Sequence, residues 1–555
     1  MRVNGAMTGQ FTPSDNIWSG RHIRLLGINE FDCCFKRPNK DYDFHGIHQD
    51  KFDLRNDSLK SLFYPESVAV IGASSVHGKP GNIILRNLMR SGTKVRLYPV
   101  NASHSEVEGL NAYPSVLLLP ETPDLAIVSV STQSVLDVTA ECVFAGVKNI
   151  VVVSSGFSEL GTSAGMMIED RIRELIGAQS GYDAIIGTDT KRINAHGVMT
   201  LNPKKDCEVK GVTRVIGPNT LGLLVPHTGI DATFLDSDEF VRPPPGKIAV
   251  VSQSGSLAVE MMQDIAAYGA GLSVFIGLGN KVDVDECDII DYLSTEPFTK
   301  AIALYIEGIK DGASFYRSCR EVSGKKPIVV LKGGRTEYGQ NAGKLHTGSC
   351  GANYKVFHGA MRQAGVVIAE NDRELLDYAR ALSELPPPSG NRLIIITNGG
   401  GYGVMAADAI GSLDCAGLSL SAPPADLRTR LSDILPGYLA PGNPLDLGSQ
   451  AVNKDFISAL DLAISSSCYD LAVLCITAKN GIDDNLAAEV QKLVSRIKFP
   501  VIACIKGKCN AVKMMQEFGR HGIPSYPDAD RALKSLASYI EWHRSPKRVV
   551  FRNEK

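Results

Sequence analysis

Ser67-Val68-Ala69-Val70-Ile71-Gly72-Ala73-Ser74-Ser75-Val76-His77-Gly78-Lys79-Pro80-Gly81-Asn82-Ile83-Ile84-Leu85-Arg86-Asn87-Leu88 divides into three pieces. Val68 to Ile71 is an unbroken apolar run, as expected of a strand covered on both faces. Gly72 to Gly81 is a turn of small residues, and Gly81 to Leu88 starts a helix. Further apolar strands fall at 94–100, 125–130 and 149–154, with helical stretches between them. Strand–helix alternation at this spacing predicts an α/β unit with a parallel, doubly wound, Rossmann-like sheet over 58–176.

Outward from this unit the same grammar repeats. A second unit, 212–385, has strands at 214–216, 248–251, 272–276, 301–306 and 327–331, and closes with a helix over 373–384. Pro386-Pro387-Pro388-Ser389-Gly390 reads as a linker. A third unit, 391–555, opens with Arg392-Leu393-Ile394-Ile395-Ile396 and the turn Thr397-Asn398-Gly399-Gly400-Gly401-Tyr402-Gly403, with strands following at 471–476 and 500–505. The strand, glycine turn, helix sequence thus recurs at 72, 254 and 399, which points to related domains. Residues 1–57 are polar and without sustained period, and read as a partly disordered extension. Residues 177–211 carry little apolar content after Ile186 and read as a surface insertion.

Charge is nearly balanced, with 58 Lys and Arg against 60 Asp and Glu, so neither a nucleic acid nor an anionic membrane is the expected partner. No apolar run reaches the ~18 residues of a membrane span. No apolar leader core opens the sequence, so a cytoplasmic location is expected. The 12 cysteines include no C-x-x-C pair, so they read as reduced thiols and no metal site is expected.

The candidate chemistry sits at strand ends. The turn 72–81 lets the backbone approach a diphosphate and offers helix-start amides, although its spacing is neither G-x-G-x-x-G nor that of a P-loop; a plain tight turn is the competing reading. The next strand ends in Tyr98-Pro99-Val100-Asn101 with no acidic ribose reader, which argues against a nicotinamide dehydrogenase. Ser252-Gln253-Ser254-Gly255-Ser256 places hydroxyls and amides at a helix start, as a phosphate dianion requires, or as a simple N-cap at Ser254 requires. Asn219, in Gly217-Pro218-Asn219, marks another turn at a strand's C-terminal edge. Glu307 ends the strand 301–306. His346 lies in Gly343-Lys344-Leu345-His346-Thr347-Gly348-Ser349, a small-residue stretch that reads as a loop over 340–351. A histidine, an anion-binding helix start and a carboxylate that fixes the imidazole tautomer are the parts needed to carry a phosphoryl group on nitrogen.

In order and spacing, these segments resemble those of the ADP-forming (NDP-forming) acyl-CoA synthetases, α-subunit type, relatives of the succinyl-CoA synthetase α-subunit. The matching stretches run from Val68-Ala69-Val70-Ile71-Gly72-Ala73-Ser74 through Gly217-Pro218-Asn219, Val251-Ser252-Gln253-Ser254-Gly255, Gly277-Leu278-Gly279-Asn280-Lys281-Val282-Asp283, Tyr305-Ile306-Glu307-Gly308, His346-Thr347-Gly348 and Thr397-Asn398-Gly399-Gly400-Gly401 to Asn443-Pro444-Leu445-Asp446. The resemblance implies a CoA-binding Rossmann-like domain followed by two flavodoxin-like ligase domains. It implies CoA held by Gly72, Ser74, Ser75 and Lys79, with Val100 and Asn101 near the adenosine end. His346 would be the phosphorylated residue, Glu307 its orienting carboxylate, and Ser252, Ser254, Gly255 and Asn219 the phosphate site. The activity implied is interconversion of carboxylic acid, CoA and ATP with acyl-CoA, ADP and phosphate. No ATP-grasp segment is recognisable, so ATP or ADP with Mg is expected on an ATP-grasp β-subunit, in an α2β2 assembly. The alternative is a CoA-binding regulatory or acyl- or carbamoyl-transfer protein on the same scaffold. Thr220 replaces the family's frequent cysteine, Leu345 its small residue before the histidine, and Ala102 its proline after Val-Asn.

Overall fold

The computed structural model describes residues 58–177, 213–347, 353–412, 417–479 and 481–545. The extension 1–57 and nearly all of the insertion 177–211 lie outside them.

The first sheet has the order β2-β1-β5-β6-β7 and is parallel throughout. Its strands are β1 (Ser67–Ile71), β2 (Arg96–Val100), β5 (Leu125–Val128), β6 (Asn149–Val152) and β7 (Arg214–Ile216); β3 (Glu106–Val107) and β4 (Leu110–Asn111) form a small separate hairpin. Every residue of β1 is buried, as its unbroken apolar run requires. Helices α1 (Pro80–Arg90), α2 (Thr132–Ala145) and α3 (Ser163–Gly177) cover it. One expectation is corrected here. The sequence suggests that 214–216 opens the second unit, but this segment pairs with β6 and completes the first sheet. A three-residue apolar strand carries no mark of which sheet it joins; the chain leaves α3, makes its long connection and returns to the open edge of the same layer.

The second sheet has the order β14-β13-β12-β10-β11-β8-β9. It comprises β8 (Leu223–Val225), β9 (Ile230–Asp231), β10 (Pro245–Ser252), β11 (Leu272–Gly277), β12 (Ala301–Ile306), β13 (Ile328–Lys332) and β14 (Val367–Ala369), with β8 and β9 antiparallel. Its helices are α4 (Gly255–Ala267), α5 (Glu286–Leu293), α6 (Gly312–Ser323), α7 (Glu337–Thr347), α8 (Tyr354–Gln363) and α9 (Asp372–Glu384). The third sheet runs β16-β15-β18-β19-β20, with β17 also on β15. Its strands are β15 (Arg392–Thr397), β16 (Ser419–Leu420), β17 (Leu445–Asp446), β18 (Leu471–Thr477), β19 (Val501–Lys506) and β20 (Ser525–Tyr526), and its helices α10 (Gly400–Ser412), α11 (Ala425–Ser432), α12 (Asn453–Ser465), α13 (Asn485–Ser495), α14 (Lys508–Arg520) and α15 (Ala529–Arg544).

In all three sheets the chain leaves the first-formed parallel strand to one side and returns on the other. The reversal falls between β1 and β5, between β10 and β12, and between β15 and β18. Ligands of open parallel sheets sit outside the carboxyl ends of strands at such reversals. The three glycine turns of the sequence stand at these points.

The layers share cores. One apolar cluster runs from Val70 and Ile127 of the first sheet to Val251 and Ile302 of the second. Another joins Met262, Ile265 and Leu376 to Leu393, Ile502 and Leu536 of the third. Arg380, 1% exposed, fills the second joint, with its guanidinium 4.3 Å from the Tyr268 ring and 5.1 Å from that of Tyr526. Asp377 pairs with Arg531 at 2.6 and 2.9 Å across the same joint. The proline-rich stretch 386–390 is tied down as well: Tyr539 donates to the Pro386 carbonyl and Ser389 to Asp470.

Candidate active site

Glu307 leaves β12 at the second sheet's reversal, and Gln253 leaves β10 beside it. The Gln253 side chain clamps the two strand ends: its Oε1 accepts from the Glu307 and Gly308 amides at 2.6 and 3.0 Å, and its Nε2 donates to the Gly308 carbonyl at 2.9 Å. Backbone position is thereby fixed before any ligand arrives. One carboxylate oxygen of Glu307 accepts from the Tyr305 hydroxyl at 3.1 Å. The other, Oε2, is buried and has no hydrogen-bond partner among the described residues. A buried acceptor left open is unfavourable unless something donates to it, so this atom marks where a donor belongs. Burial, and then the Glu307 charge, push the Tyr305 hydroxyl above the usual phenol range, so it remains a donor.

Opposite stands the start of α4. Ser254 accepts from the Leu257 amide, so it is the N-cap of the helix. The capping role therefore holds, and it leaves the first-turn amides at Gly255 and Ser256 without intrahelical acceptors. Ser252 is 1% exposed and its hydroxyl is used within the turn, donating to the Ser254 carbonyl at 2.8 Å and accepting from the Ser254 amide at 3.1 Å. It shapes the turn from beneath.

These groups line a cavity of about 1250 Å³ between the carboxyl ends of the first and second sheets. Glu307, Ser254, Gly255 and Asn219 all border it, as does Pro80 at the start of α1. Four residues predicted to be functional thus converge. The first-sheet turn approaches from the other side. Gly72 has φ +88°, and a Cβ there would lie 2.2 Å from the Ser129 carbonyl oxygen, so only glycine lets β1 and β5 part at that spacing. Ser74 accepts from the Val76 amide at 3.1 Å, and Ser75 and Lys79 are exposed. Nothing lies within 4 Å of the open side of Gly78. The exposed backbone of this turn, ending at a helix start, suits a phosphate-bearing chain. At the end of β2, Val100 is a core residue at 4% exposure, and Asn101 donates to the Ala73 carbonyl at 2.7 Å while accepting from the Ser103 and His104 amides. They hold the turn.

His346 corrects another expectation. The stretch 340–351 reads as a loop in the sequence; the backbone is helical from Glu337 to Thr347, in α7, and 348–352 lie outside the described residues. Thr336 starts the helix, accepting from the Gly339 amide on its hydroxyl and from the Gln340 amide on its carbonyl. Main-chain bonding needs no apolar stripe, and an exposed, polar helix shows none. The described residues do not include the His346 side chain. Its helix packs against the turn Ser158–Leu160, whose Ser158 and Glu159 border the cavity.

Several site residues escape a reading of the sequence. Asn280 donates to Glu159 and Glu169, each at 2.7 Å, joining the first and second layers across the cavity. Burial alone would raise the Glu159 carboxyl, but the Asn280 amide and the Gly156 and Phe157 amides hold it below the usual carboxylate range. Lys281 pairs with Glu286 at 2.8 Å and donates to the Gly308 carbonyl at 2.8 Å. Gln253, Asn280 and Lys281 all stand inside quoted motifs, but the glycines and hydroxyls there carry the stronger signal.

Three family models match: the CoA binding domain over 66–178, the succinyl-CoA ligase like flavodoxin domain over 245–382, and the ligase-CoA domain over 393–550. The chain is 36% identical to the acetate–CoA ligase [ADP-forming] I subunit alpha of Pyrococcus furiosus over 496 residues, 88% of this chain and 98% of that one. It is 33% identical to the acetate–CoA ligase [ADP-forming] II of Archaeoglobus fulgidus, across 89% of this chain and 68% of that one. Among solved structures, the dinucleotide forming acetyl-coenzyme A synthetase 1 of Ca. Korarchaeum cryptofilum, in complex with phosphate and ADP, superposes with a TM-score of 0.75 at 31% identity, covering 88% of this chain and 97% of that one.

Proposed function

Since the chain belongs to the ADP-forming acyl-CoA synthetases, α-subunit type, we propose that it carries the phosphoryl group of their reaction on His346. The protein is a subunit of an acid–thiol ligase that uses CoA and a nucleotide and interconverts carboxylic acid, CoA and ATP with acyl-CoA, ADP and phosphate. In the ADP-consuming direction, an orthophosphate oxygen attacks the thioester carbonyl, the C–S bond breaks and CoA leaves with a proton. An imidazole nitrogen of His346 then attacks phosphorus, and the carboxylate leaves with the bridging electron pair. ADP finally takes the phosphoryl group and frees the ring.

The observation that carries this reading is the open carboxylate oxygen of Glu307, buried at the sheet reversal beside the α4 start. A carboxylate so placed accepts one imidazole N–H, which leaves the other nitrogen as the nucleophile. The α4 amides at Gly255 and Ser256 offer donors and a positive dipole end to the phosphoryl oxygens, and such preorganised donors are the main means of lowering a phosphoryl-transfer barrier. The backbone turn from Gly72 to Lys79 would hold the CoA phosphates.

A partner subunit follows from the subunit-alpha relatives. We take it to be an ATP-grasp β-subunit that holds the nucleotide with Mg, in an α2β2 assembly. In support, this chain accounts for nearly all of a subunit-alpha relative but about two thirds of a single-chain one. We place the enzyme in the cytoplasm: the cysteines described, such as Cys142 and Cys319, are free thiols, and among the described residues no helix is long and apolar enough to cross a membrane. Glu307→Gln tests the reading. The phosphoenzyme should form roughly 100-fold more slowly while CoA affinity holds; unchanged formation would remove Glu307 from the mechanism.

A further inference from the structure

The mechanism above does not use Lys332, the last residue of β13. It is 4% exposed, yet among the described residues no carboxylate lies within ion-pair distance of its ammonium. Its bonds go to two main-chain oxygens: the Glu307 carbonyl at 2.6 Å and the Gly333 carbonyl. Burying an ammonium without a direct ion pair is unfavourable, and the nearby Glu307 charge only partly offsets that cost; such a charge is retained where it serves something nearby. What lies nearby is the end of β12. Ile306 and Lys332 are in register on adjacent parallel strands, and the face of Gly333 where a side chain would stand is turned toward the Tyr305 hydroxyl and Glu307 Cγ. Beyond Gly333 the chain turns through Gly334 and enters α7, which bears His346. Lys332 therefore bridges the strand end that presents the carboxylate and the strand end that launches the histidine helix.

The other polar groups described around Glu307 already have partners. Tyr305 donates to its carboxylate, Lys281 is paired with Glu286, and Lys310 donates to the carbonyls of Asn280 and Lys281. We propose that Lys332 is a positioning residue for the phosphohistidine step, locking the Glu307 main chain to the start of the His346 helix and balancing the Glu307 charge when a phosphoryl dianion arrives; this rests on the reading of His346 and Glu307 given above. Desolvation holds the Lys332 ammonium below the usual lysine range. The balancing charge is therefore lost at lower pH than an ordinary lysine would lose it, as pH rises through that lowered value. An arginine at this position keeps its charge throughout.

The test incubates the full chain with [32P]orthophosphate and a panel of acyl-CoA thioesters (acetyl, succinyl and aryl), and follows acid-labile label on His346, with the thioester that labels best, from neutral to alkaline pH. Wild type should lose labelling rate on the alkaline side. Lys332→Met should label roughly 10- to 100-fold more slowly at neutral pH, with CoA affinity and thermal midpoint close to wild type. Lys332→Arg should label well and lack the alkaline fall. Wild-type labelling by Lys332→Met overturns the proposal, as does a Lys332→Arg profile that keeps the alkaline fall, which would assign it to Lys310 or another group. If Lys332→Met fails to fold, Lys332→Arg decides alone. A wild-type chain that takes no label overturns the His346 reading itself and this inference with it; that result is distinct from a defect or a normal rate confined to the Lys332 variants.

Discussion

At the scale of single residues, the site is a carboxylate with one hand occupied and one free. Gly333 guards that arrangement: a Cβ there would stand 2.8 Å from the Tyr305 hydroxyl and 3.4 Å from Glu307 Cγ. Gly333→Ala should therefore displace the Tyr305–Glu307 pair with little change in fold, slowing phosphoenzyme formation by roughly tenfold or more; stopped-flow labelling beside a thermal melt separates the two effects, and an unaltered labelling rate would show the pair tolerates the methyl group. The place of Glu307 at a strand end is legible in the sequence because an unmistakable apolar strand precedes it. Gln253 is not, because a glutamine between two serines has no sequence mark that distinguishes a backbone clamp from a solvated side chain. The Ser252 hydroxyl braces the turn that Ser254 and Gly255 present, a role that the sequence does not mark.

At the scale of elements, long parallel strands are readable and short or polar elements are not. β12 spans Ala301–Ile306, as its apolar run indicates, since a strand buried on both faces leaves no polar position. The helix α7 is hidden because its sequence shows no apolar stripe, and β7 because three residues cannot declare their sheet. The α4 start shows how one serine serves two readings, cap and anion site. Ser254→Ala should lower stability by about 1 kcal/mol, as loss of an N-cap does, detected as a lower unfolding midpoint. It should leave the Gly255 and Ser256 amides in place, so phosphoenzyme still forms; a melt identical to wild type would contradict the cap.

At the scale of the whole molecule, three sheet reversals are brought to shared cores, and the proline-rich stretch 386–390, a linker by its composition, is fastened at both ends. Composition reports the absence of helix or strand there, not the contacts made by neighbouring side chains. The joint between the second and third layers depends on Asp377, 2% exposed, which pairs with Arg531 and approaches Arg380 at 3.6 Å. Asp377→Ala leaves buried guanidinium uncompensated and should cost about 3–5 kcal/mol, read from denaturant unfolding; a loss below about 1 kcal/mol would show the joint to be held by its apolar contacts alone. On the proposed mechanism, this joint would hold the layers while phosphorus passes between an acyl-CoA site and the histidine of α7. Mass-spectrometric mapping of the chain after incubation with a panel of acyl-CoA thioesters and [32P]orthophosphate addresses this most directly. The account predicts a single acid-labile phosphoryl group on His346 that disappears when ADP and the partner subunit are added; label on any other residue, or the same label in His346→Ala, would contradict it.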